Sequence, residues 1–126
     1  MSFSDTFETR VLTWVFTNSS ATRPTAWYVA LFTSAPSDAG GGTEVSGGAY
    51  ARQAVTFSVS GNTATNSGAI EYSTATAGYG TVTHVGIFDA STGGNLIAHS
   101  ALTTSKAIDT GDVLRFPAGD IDITLD

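Results

Sequence analysis

The stretch AWYVALFT, residues 26–33, is apolar at successive positions, so both of its faces call for cover. A run of this length bounded by breaks reads as a strand buried on both sides. The segment before it reads differently. Phe3, Phe7, Val11, Trp14 and Val15 recur at helical spacing, with Leu12 and Phe16 widening the stripe. The period therefore changes from about 3.6 to 2 after Pro24. Asp5 followed by Glu8 resembles an acidic capping box, and Asn18 is a plausible stop.

Downstream the period of 2 persists. Val55, Phe57 and Val59 alternate with Thr56 and Ser58, and 63–72 is a weaker strand. TVTHVGIF, 81–88, is strong, and the turn DASTGGN, 89–95, joins it to a strand over 96–102 as a hairpin. DTGD and PAGD separate short strands at 113–116 and 121–125. In the last, Ile121, Ile123 and Leu125 alternate with Asp122, Thr124 and Asp126, which predicts a half-exposed strand at a sheet end. The fold expected is mainly β, a single-domain antiparallel β-sandwich or flattened barrel with one N-terminal α-helix. The domain spans 1–126, with the helix in 1–20 and the β part in 25–126.

Composition narrows the function. Charged residues make up 13% of the 126, about half the usual share. There is no cysteine, and the formal net charge is −6. Nucleic acid and anionic membrane are disfavoured partners, since no Lys/Arg cluster offsets that charge. No signal peptide is visible and no apolar run approaches a membrane span.

Motifs for chemistry are sparse. GGGTEVSGGAYARQAVTF, 40–57, places five glycines around one acid. A P-loop needs Lys and Ser/Thr opening a helix, and a strand follows here instead. The segment reads as a mobile loop that orders against a neighbour, with Glu44 and Arg52 as polar anchors and Tyr50 exposed. Tyr79, beside another glycine-rich break, also reads as exposed. His84 and His99 come close if their strands pair, and with Asp89, Asp109 or Asp112 would suffice for a metal. Each fits better on the polar side of its strand. Asp109/Asp112 and Asp120/Asp122 flank turns, where Asp serves local hydrogen bonding. Glu44 and Glu71 would make a glycosidase pair, but nothing brings them together. No GxSxG elbow is present. The chain reads as non-enzymatic, with no catalytic residues, cofactor or metal.

Three blocks carry a resemblance: WYVALFTSAPSDAGGGTEVSGGAYARQAVTF, GTVTHVGIFDASTGGNLIAHSALTTSKAIDTGD and the alternating IDITLD. With the N-terminal helix they cover nearly the whole chain, which resembles small tailed-bacteriophage virion proteins often labelled "phage tail fiber protein". The resemblance implies a structural protein of the virion. Neither heptads nor β-helical repeats for a shaft are present. A capsid decoration (cement) subunit, a homo-oligomer expected as a trimer and bound to the major capsid protein, is therefore expected first. The alternative is a short tail-fibre or baseplate-tip protein that contacts tail proteins and binds a host receptor or glycan. The interface residues expected are Phe3, Phe7, Val11, Trp14, Glu44, Tyr50 and Arg52.

Overall fold

A computed structural model describes residues 1–125. The elements run β1 (Ser2–Phe3), α1 (Asp5–Phe16), β2 (Tyr28–Ser34), β3 (Thr43–Glu44), β4 (Gln53–Ala54), β5 (Phe57–Ser60), β6 (Thr63–Asn66), β7 (Ile70–Glu71), β8 (Gly80–Phe88), β9 (Leu96–Ile108), β10 (Arg115–Phe116) and β11 (Asp122–Thr124). The protein is mainly β with one helix, and its strands pair antiparallel.

The doubly apolar segment takes the inner position that its pattern requires. β2 lies between β8 and the short β3 and β4, in a sheet ordered β1-β9-β8-β2-β3. Val29, Ala30, Leu31 and Phe32 are all buried. Side chains on one face of β2, Val29 and Leu31, join Val85 and Ile87 of β8 in the main core. Ile70, Tyr72, Leu114, Phe116 and Ile121 belong to that same core. They come from or adjoin two smaller sheets, β10-β7 and β11-β6-β5, so the core lies between layers. Gly86 of β8 lies on the other face. A Cβ there would approach Phe32 and Leu96 at 2.9 and 3.0 Å, so the strand needs glycine to let both pack.

Several boundaries differ from the sequence reading, each for a local reason. Phe3 belongs to β1, opposite Ala98 of β9, and not to the helix. The helix starts one residue earlier than the acidic box implies: Ser4 is the N-cap and its side chain accepts from the Phe7 amide. It ends at Phe16 on an extended Thr17, not at a left-handed Asn18, so it is shorter than the 1–20 segment. The alternating run at 54–59 divides between sheets. β4 pairs with β2 and β5 pairs with β6, so Val55 is buried while Val59 is 75% exposed. The segment 63–72 likewise splits into β6 and β7. β9 continues past Leu102 to Ile108, with an irregular register opposite Thr83. β11 is the edge of its sheet, as the alternation implied. Asp126 lies outside the described residues.

Candidate functional site

The helix carries the least covered apolar surface. Its first half is amphipathic: Phe7 enters the core while Asp5, Thr6, Glu8 and Thr9 face solvent. Its start is fixed by the buried Ser4 hydroxyl, which also donates to the Leu96 carbonyl, and by the Asp5 amide donating to the Asp38 carbonyl. The second half, VLTWVF at 11–16, is apolar at five of six positions. A helix that is apolar all round is normally surrounded. Here Leu12 is 57%, Trp14 71%, Val15 52% and Phe16 78% exposed.

Against one side of this half runs the chain at 20–24. Arg10 ties the two together, its Nη1 donating to the Thr22 carbonyl at 3.3 Å while its guanidinium lies 4.5 Å from the Phe7 ring centre. Between them is an open apolar groove of about 530 Å³. Phe7, Val11 and Trp14 line one wall, and Ala21 and Pro24 the other.

Of the expected interface residues, Trp14 is exposed, Val11 and Phe3 are half-buried, and Phe7 is in the core. Glu44, Tyr50 and Arg52 form a separate cluster. β2 aligns Glu44 opposite Phe32. Arg52 donates to both Glu44 oxygens at 2.8 and 2.9 Å, and its remaining amino group reaches the Ala90 and Gly93 carbonyls. Its guanidinium also covers the Phe88 ring at 3.7 Å. The Tyr50 hydroxyl donates to Glu44 at 2.6 Å and accepts from the Leu31 amide. Sequence reading had Tyr50 and Tyr79 exposed. Tyr50 is instead half-buried and stacked on Tyr72, and Tyr79 is buried against Tyr50 edge-on.

The glycine-rich segment is thus anchored within its own chain. Val45 donates to the Leu31 carbonyl and Thr76 to that of Gly48. Gly48 has φ +63°, and a Cβ there would lie 2.5 Å from the Ala77 carbonyl oxygen. Glycine is required at that point by close backbone approach.

Burial alone pushes Glu44 up, but the hydrogen bonds from Arg52 and Tyr50 and the charge of Arg52 outweigh it, and its pKa falls below the ordinary value. A depressed folded pKa stabilises fully above the unfolded value of about 4.3 and is lost as pH falls through the folded value. Glu44→Gln is therefore expected to lower stability at neutral pH by about 1–2 kcal/mol. It should also flatten the fall in stability below about pH 5. Urea unfolding across pH 2–7 checks this, and acid limbs of equal slope in both proteins would contradict it.

The remaining candidates have other partners. His84 and His99 lie diagonally on β8 and β9. His99 Nε2 meets Asp38 Oδ1 at 2.7 Å, and His84 Nδ1 meets the Thr83 hydroxyl. Asp112 accepts from the Asp109 amide, and Asp122 from the Thr65 hydroxyl. Glu71 pairs in register with Arg115, on a different sheet from Glu44. Among the described residues, no three or more His, Asp or Glu gather as metal ligands do. No described helix is long and apolar enough to cross a membrane.

A protein family described as podophage GP4 fiber I protein gp80 matches residues 2–124. No curated protein matches the chain.

Proposed function

The chain belongs to the podophage GP4 fiber I protein gp80 family, and from that premise we propose that it is a fibre-type subunit that assembles through the apolar half of α1. It is a bacteriophage structural protein and a virion component. The observation that carries the assembly reading is the distribution of exposed apolar side chains. Of seven large hydrophobic residues exposed among those described, four are in α1, within five consecutive positions. Apolar side chains exposed together on one half of a helix mark a contact surface. Trp14 and Phe16 are exposed, but they stand among Leu12 and Val15, a setting that suits protein packing more than stacking on a sugar.

Capsid decoration is the second reading. The longest element has 13 residues, and the layered sheets form a knob that suits a shell surface as well as a fibre head. In either case the partners are copies of itself, with a trimer as the expected closed form, and neighbouring virion subunits assembled in the host cytoplasm. Quantitative gel analysis of purified virions separates the two readings. A few to some tens of copies per particle is expected of a fibre. A ratio near one to the major capsid protein would overturn the fibre assignment in favour of decoration, and absence from the particle would overturn both.

A further inference from the structure

We propose that α1 is both halves of a head-to-tail contact between copies of this chain: an apolar ridge on one face that seats in the apolar groove on another. This rests on the assembly reading above and specifies its partner and geometry. On a helical wheel, Phe7, Val11 and Trp14 share one face, while Leu12, Val15 and Phe16 share a second, roughly 130° away. The first face opens onto the groove formed with Ala21 and Pro24. The second projects as a ridge, with each of its three side chains more than half exposed. Because ridge and groove lie on different sides of one rigid helix, a chain cannot fill its own groove with its own ridge.

The charges flanking the two faces are opposite. Asp5 and Glu8, both exposed, lie on the ridge side, two turns and one turn before Leu12. Arg10 and Arg23 line the groove. These are two of only five Lys and Arg in the chain, which otherwise carries a net charge of −6. An apolar ridge bordered by acids thus matches an apolar groove bordered by arginines. A self-paired ridge would bring Asp5 and Glu8 of neither copy to the arginines and leave both grooves open. A heterologous contact of this kind closes into a ring when the rotation between copies permits, and a trimer is one such ring.

Mixing of variants tests the arrangement. Leu12→Glu with Phe16→Glu removes the ridge, and Trp14→Glu spoils the groove. All three positions are more than half exposed, so both proteins are expected to keep the wild-type melting profile. Each alone should sediment as a monomer, with at least a hundredfold weaker association than wild type. Mixed in equal amounts, they should form a heterodimer and go no further, since one intact ridge meets one intact groove. Association of the Trp14→Glu protein by itself, or an equimolar mixture that stays monomeric, would overturn the head-to-tail contact. If either variant unfolds, Arg23→Glu and Glu8→Arg give the same test by charge. Each should associate more weakly alone and regain association when mixed, and failure to do so would overturn the proposal. The virion copy-number measurement is independent of these outcomes, so the contact can fail while the fibre reading stands.

Discussion

Replacing Asn66 by alanine is expected to lower the stability of the fold by about 2–3 kcal/mol, a large share of the 5–15 kcal/mol typical of a small protein. Asn66 is 1% exposed at the end of β6. Its Nδ2 donates to the carbonyls of Gly68 and Pro117 at 2.8 and 3.0 Å, and its Oδ1 accepts from the Ile121 amide at 2.8 Å. Its backbone also bonds Ile121 and Gly119. One side chain thereby fastens the turn after Phe116 to the three-stranded sheet and sets the approach of β11. Alanine leaves the buried Ile121 amide without a partner, at about 1–3 kcal/mol, and removes two further bonds to the Gly68 and Pro117 carbonyls at about 0.5–1.5 kcal/mol each. Solvent reaches the exposed Gly68 and Pro117, and the Pro117 carbonyl keeps the Asp120 amide, so the total stays below the full sum. Urea unfolding reads the loss as a lower midpoint at constant slope. A change under about 1 kcal/mol would show that water or a shifted turn replaces the side chain.

Asn66 also shows where sequence reading stops. It lies in a weakly patterned strand, and its partners at Pro117 and Ile121 are more than 50 positions away. No local period announces a contact of that kind. By contrast, β2 and β8 were legible, because 26–33 and 81–88 carry enough apolar character to demand burial. Helix α1 was legible as a helix, yet its apolar residues merged into one broad stripe. Spacing reveals which residues share a face, while what covers that face depends on the rest of the chain. The Ser4 cap left a signal, a serine directly before the apolar period, but the neighbouring acids drew the reading to Asp5. Glu44 and Arg52 stood out as charges in a glycine-rich block. That they bind one another follows from the pairing of β3 with β2, which spacing of eight residues does not disclose.

Truncation does not isolate the part α1 plays in assembly. Deleting the residues before Ala21 would remove Phe7 and β1, both built into the fold, and would test folding together with assembly. Substitution at exposed positions avoids this. Burying the exposed parts of Leu12, Val15 and Phe16 in a neighbour contributes roughly 3–5 kcal/mol of apolar transfer before the cost of association. Glutamate at two of these positions removes most of it. The resulting loss exceeds a hundredfold in association constant, since each tenfold corresponds to about 1.4 kcal/mol.

Sedimentation equilibrium of the intact chain beside its Leu12→Glu, Phe16→Glu variant tests assembly through α1 most directly. The account predicts a wild-type mass that is a multiple of 12.9 kDa, three being the expected number, and a folded variant at 12.9 kDa. A monomeric wild type at tens of micromolar, or a variant with the same mass as the wild-type oligomer, would contradict it.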